Sequence, residues 1–188
     1  VNIAHLTIRS QNGSASVTVE ASDPNDYVFN VTADYVDISG FTVTGANGYE
    51  KAGIYLQEST SPTISNSTVE NNTIGISISG SSSLLKIRNC VISNNKGNGI
   101  SSGGSSLEIS FTDIVYNDGN GLYGDFWGGN SLTLLNSNIS NNNYKGIHSL
   151  NANSVSLSNS IVSDNDEIGI YVQGGSPSLT VINCTVSD

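Results

Sequence analysis

A pair of apolar residues at a fixed offset recurs along the chain and limits its fold more than any other feature. Ile38, Ile64, Ile87, Ile109, Leu134, Leu157 and Val181 are each followed, five residues later, by Val43, Val69, Ile92, Ile114, Ile139, Val162 and Val186. Ile3 and Ile8 carry the same offset back to the start. From Ile38 onward the pairs repeat every 22 to 26 residues. An invariant local offset inside an elastic period is the mark of stacked coils with variable corner loops.

A second landmark closes each period: Gly53-Ile54, Gly75-Ile76, Gly99-Ile100, Gly121-Leu122, Gly146-Ile147 and Gly169-Ile170. Short strands alternate inward apolar and outward polar side chains, and three per period make a triangular parallel β-solenoid. An antiparallel β-sandwich is the alternative, but its strands do not return one residue to one place in every period. The expected fold is therefore all-β, with about 7 coils after a longer first one. The repeat leaves no linker, so residues 1–188 read as one domain. Residues 1–35 form an irregular first coil and 36–188 the regular ones. Val1, Ile3, Leu6 and Ile8 align with Val36, Ile38, Phe41 and Val43, which predicts that the first coil is in register from its first residue. Residues 17–19 and 27–31 read as short strands around a turn at 22–26.

Two Asn columns mark the corners. Asn66, Asn89, Asn136, Asn159 and Asn183 occupy the first, interrupted by Gly40 and Phe111; Asn72, Asn95, Asn117, Asn142 and Asn165 occupy the second. Asn tolerates left-handed backbone and bonds to nearby main chain. Stacked amides can also bond to one another, as in cross-β ladders. Both columns are expected to be structural.

With these residues in view, the motif I-x-N-S-x-I-x-x-N followed by G-I resembles the right-handed, single-stranded parallel β-helix repeats of pectate-lyase-like and NosD-like surface proteins. That resemblance covers nearly the whole chain and implies architecture. Its members include polysaccharide lyases, hydrolases, epimerases, adhesins and surface-layer components, and fold does not fix function among them. Polygalacturonase-type members carry an Asp-Asp pair, a G-H-G and an R-x-K along one groove. Gly146-Ile147-His148 and Lys86-Ile87-Arg88 stand where the last two are sought, and neither matches. Pectate lyases set an Arg beside a calcium-binding carboxylate cluster, and Arg88 has Ser65 and Ser110 as expected outward neighbours. Lys86 is expected beside Glu108 and Lys96 beside Asp118, as surface ion pairs. Asp164-Asn165-Asp166-Glu167 has too few spaced ligands for a calcium loop. No catalytic residue, metal or cofactor is assigned.

Charge and cysteine narrow the partners. With six Lys and Arg and a formal charge of −10, the chain lacks the basic patch that nucleic acid requires. No apolar run reaches membrane-span length, and no signal peptide is visible. A start on strand-like Val1 without Met suits a mature chain or an excised fragment. Cys90 and Cys184 share one column four coils apart, roughly 19 Å at ordinary strand spacing, too far for a disulfide within one chain. Asn12, Asn30, Asn71 and Asn138 head sequons suited to glycosylation at a cell surface; those at Asn66 and Asn183 fall in the corner column, where access is expected to be poorer.

The residue after each Gly-Ile pair should point outward, giving Tyr55, Ser77, Ser101, Tyr123, His148 and Tyr171. Tyr123, His148 and Tyr171 are consecutive and predict an aromatic stripe. Asp125, Phe126 and Trp127 follow in a Gly-rich loop, with Tyr116 and Tyr144 in adjacent turns. Flat rings with nearby Asp and Asn suit sugar or a protein partner. The expected function is a non-catalytic extracellular structural, self-assembling or adhesive component of a cell envelope; the alternative is a carbohydrate-active β-helix. Expected partners are other copies of the chain, flanking domains of a longer one, or a glycan.

Overall fold

A computed structural model describes residues 1–80, 84–174 and 177–187. Among these, every regular element is a strand, and the strands form three sheets of eight, eight and seven members. Each coil but the last gives one strand to each sheet in turn among the described residues. In the fourth coil these are Leu84–Arg88, Val91–Ser93 and Ile100–Gly103. All neighbours pair in parallel: Ile87 lies between Ile64 and Ile109, Ile92 between Val69 and Ile114, and Ile100 between Ile76 and Leu122. The two columns of the fixed offset are thus the inward registers of the first and second sheets, and the Gly-Ile column opens the third.

Inward side chains from the three sheets meet in one core running from Val31 to Val162. Burying each Ile or Leu there contributes on the order of 1.5–3 kcal/mol, and this repeated gain holds the coils in phase. The final coil differs. The inward Leu179, Val181 and Val186 are exposed, because no further strand covers them among the described residues.

The first coil departs from the expected register. Thr7–Arg9 pairs with Asp37–Ser39 and sets Ile8, not Ile3, beside Ile38; Val19 then lies beside Val43. Ile3 is 62% exposed. The five-residue offset holds only where the first corner is tight, and residues 10–17 widen that corner into a loop. Ile3 and Ile8 have the right spacing by coincidence. The other strands of this coil are Thr18–Glu20 and Phe29–Val31.

The two Asn columns differ physically. In the first corner, Asn66, Asn89, Asn136, Asn159 and Asn183 all have φ between 47° and 52°. Phe111 (φ 50°) and Gly40 (φ 82°) keep the same left-handed turn. An ordinary L-residue loses roughly 1–2 kcal/mol in that region, and Asn loses less. In the second corner the left-handed residue is the one before the column: Asn71, Asn94, Tyr116, Asn141 and Asp164. The column itself does not turn the chain; it is the buried amide ladder expected from the stacked Asn residues. Asn95, Asn117 and Asn142 each donate from Nδ2 to Oδ1 of the next rung at 2.9 Å. The same Oδ1 accepts the backbone N–H of the rung before it, as Asn117 does from Asn95 at 3.2 Å. A second ladder runs through Ser67, Thr112, Ser137, Ser160 and Cys184, each accepting a backbone N–H from the preceding coil. These side chains satisfy corner amides that neither sheet can reach.

Candidate functional site

The outward face of the third sheet collects the aromatic residues. Tyr123 on Leu122–Asp125, His148 on Ile147–Leu150 and Tyr171 on Ile170–Gln173 occupy one register position. Their rings meet edge to face, Tyr123 to His148 at 5.2 Å and His148 to Tyr171 at 5.1 Å. That geometry sets the positive edge of one ring against the negative face of the next. Lys145 extends the group, its Nζ 5.7 Å from the Tyr171 ring and 2.5 Å from Glu167 Oε2. Burial pushes the His148 imidazole below its ordinary range; Lys145 adds to the effect and Glu167 opposes it. Burial thus favours the uncharged form of the His148 ring between the two tyrosines.

Hydrogen-bonding groups stand beside the stripe. Tyr171 donates its hydroxyl to Gln173 Oε1 at 3.0 Å, and Asp125 Oδ1 accepts from Asn151 Nδ2 at 2.9 Å. The loop after Asp125 is tethered by Asn130, whose Nδ2 donates to the carbonyls of Trp127 and Gly104. Trp127 is 62% exposed, and Tyr144 and Tyr116 are exposed on neighbouring turns. Phe126 is not part of this surface. Its side chain is fully buried, and the ring lies so close to Gly124 that a Cβ there would meet it at 2.2 Å. The inward positions around it are Ser102, Gly124 and Ser149, and a coil interior lined by such small residues needs a large ring to fill it.

A second aromatic group lies on the same face, three coils nearer the start. Tyr55 belongs to the same outward column, as its place after Gly53-Ile54 foretold. Tyr27, from outside the repeat, stacks on it at 4.4 Å and 14°, with Lys51 Nζ 4.4 Å from the Tyr27 ring. No motif in the sequence joined Tyr27 to Tyr55; the first coil's own path brings them together. Between the two groups the outward column holds only Ser77 and Ser101.

The first sheet presents a cavity of about 430 Å³ lined by residues including Leu84, Arg88, Glu108, Phe111 and Leu135. Register sets Lys86 against Glu108, but Arg88 reaches across diagonally and takes the carboxylate at 2.5 Å. Arg88 thus has a partner that the register alone does not reveal. Both groups are partly exposed, so the pair contributes little to stability. Among the described residues no three His, Cys, Asp or Glu side chains converge as metal ligands. Cys90 and Cys184 are both free; burial pushes the Cys90 thiol up to about 11. Asn12, Asn30 and Asn71 are exposed and Asn138 is half-buried. Asn66 and Asn183 are also exposed, contrary to expectation, because first-corner side chains splay away from the coil.

Fold and sequence agree on the family. The chain belongs to the right-handed β-helix family, matching its "right handed beta helix region" over residues 3–125 and 75–188. Among solved structures it is similar to a double mutant of the periplasmic alginate epimerase AlgG. They share 16% identity and a TM-score of 0.62, over 87% of this chain and 44% of the other. It is also similar to the pectate lyase Pel9A, with 14% identity and a TM-score of 0.59 over 100% of this chain and 68% of the other. At these identities the likeness is one of fold. The chain spans less than half the length of the epimerase. No curated protein matches it in sequence.

Proposed function

We propose that this chain is a non-catalytic, adhesive β-helix of a cell envelope or extracellular matrix that holds polysaccharide on the outward face of its third sheet. The observation that carries this reading is the Tyr123–His148–Tyr171 stripe, three consecutive rings in mutual contact on the outward face of one sheet. Pyranose rings present C–H faces to aromatic rings and hydroxyls to groups such as Asp125, Asn151 and Gln173. The likeness to an alginate epimerase and a pectate lyase agrees with a polysaccharide partner and an envelope setting.

The test is a broad glycan array followed by affinity electrophoresis. Tyr123→Ala, Trp127→Ala and Tyr171→Ala should each weaken retention while the circular dichroism spectrum is unchanged. An array with no binding by the wild-type chain removes this reading. New reducing ends or unsaturated products after long incubation would replace adhesion by catalysis; the Arg88–Glu108 pair beside the first-sheet cavity is where such an activity is sought. Self-association is the further part of the proposal. The exposed apolar positions of the final coil lose transfer free energy while wet, and a second copy or further coils would cover them. Sedimentation velocity at rising concentration tests it, and a monomer at every concentration removes it.

A further inference from the structure

We propose that the third-sheet face is a two-platform site that reads the length of an uncharged polysaccharide lying along the solenoid axis. This rests on the glycan reading above and goes beyond it by adding a second platform, a direction and a charge class. The first platform is the Tyr27–Tyr55 stack with Lys51. The second is Tyr123, His148 and Tyr171 with Lys145. Tyr55, Tyr123 and Tyr171 share one register column, so the platforms are aligned along the axis, not across it. Three strand steps separate Tyr55 from Tyr123, about 14 Å at the usual interstrand spacing. Ser77 and Ser101 fill those steps and offer only small hydroxyl side chains, which leave a chain crossing the gap unobstructed.

Such spacing makes binding bivalent. A disaccharide fits one platform, whereas a hexasaccharide reaches both, and its second contact forms at the high effective concentration set by the first. The charge class follows from the surroundings. Each platform has one Lys, but Glu50 lies near Tyr27 and Tyr49, and Glu167 already pairs with Lys145. Asp125 adds a further carboxylate on a chain of net charge −10. A polyuronate approaching this face meets net repulsion, and an uncharged chain does not.

The experiment is calorimetric titration of the whole chain with β-1,4-glucan and β-1,4-mannan oligosaccharides from disaccharide to hexasaccharide, with polygalacturonate as the charged comparison. The hexasaccharide should bind the wild type at least about tenfold tighter than the disaccharide. Tyr55→Ala should abolish that step and leave one disaccharide site where the wild type has two. Binding that is equal at all lengths, or a full length step retained in Tyr55→Ala, overturns the two-platform arrangement and leaves the glycan reading standing. Preference for polygalacturonate overturns the charge class. Failure of the wild type to bind any probe, joined to an empty glycan array, overturns the glycan reading itself.

Discussion

Replacing Asn117 by Ala separates the two jobs that Asn does in this solenoid. Asn117 Oδ1 accepts from the backbone N–H of Asn95 at 3.2 Å and from its Nδ2 at 2.9 Å. Its own Nδ2 donates to the Ile92 carbonyl at 3.1 Å and to Asn142 Oδ1 at 2.9 Å. The side chain is fully buried, so water cannot replace it. Truncation strands the Asn95 backbone N–H, at a cost of roughly 1–3 kcal/mol, and removes further bonds worth about 1 kcal/mol each. A loss of about 4–6 kcal/mol is expected, which at a urea m-value near 2 kcal/mol/M lowers the midpoint by roughly 2–3 M. Asn159 is the control. It is exposed, left-handed at φ 49°, and its amide makes only a 3.4 Å contact with Asn183. Asn159→Ala should cost about 1 kcal/mol, and Asn159→Gly close to nothing, because glycine enters this region freely. Urea melts followed by circular dichroism and by tyrosine fluorescence measure all three. Equal losses for Asn117→Ala and Asn159→Ala, or equal losses for the Ala and Gly variants of Asn159, refute the distinction between ladder and corner.

Other outcomes follow from single sites. Gly121→Ala should destabilise by about 1–3 kcal/mol, since its Cβ would meet Ile139 Cγ2 at 2.5 Å and the Gly146 carbonyl oxygen at 2.8 Å; a wild-type thermal melt would contradict it. The Ser149 hydroxyl is buried with no partner among the described residues, so Ser149→Ala should gain about 1 kcal/mol, read as a raised urea midpoint. Phe111→Asn should likewise stabilise by about 1 kcal/mol by relieving a bulky residue from φ 50°; an unchanged or lowered midpoint counts against that reading. Folding raises the Cys90 pKa from the ordinary 9.0 to about 11 and so favours the neutral thiol. Its contribution is complete below pH 9 and is lost as the pH rises toward 11, a slope that Cys90→Ser should lack in pH-dependent melts.

The sequence by itself determined the solenoid. A five-residue offset can be kept through seven regular coils only if a one-residue left-handed corner joins two short strands, and the Asn, Gly and Phe at that corner all adopt it. Period-two alternation likewise settled which residues of the third sheet face outward, and hence that Tyr123, His148 and Tyr171 meet. Contacts between coils were decided elsewhere. Ile3 and Ile8 satisfy the offset as well as any later pair, yet pairing with Ile38 selects Ile8, because a widened corner changes register without disturbing local spacing. Phe126 reads as part of an exposed Gly-rich loop, and only the room left by Gly124 and its small neighbours draws it inward. Tyr27 belongs to no repeat position and reaches Tyr55 through the irregular path of the first coil. Local spacing fixes what one coil does, whereas packing volume and loop path fix what neighbouring coils share, and only the tertiary structure contains those.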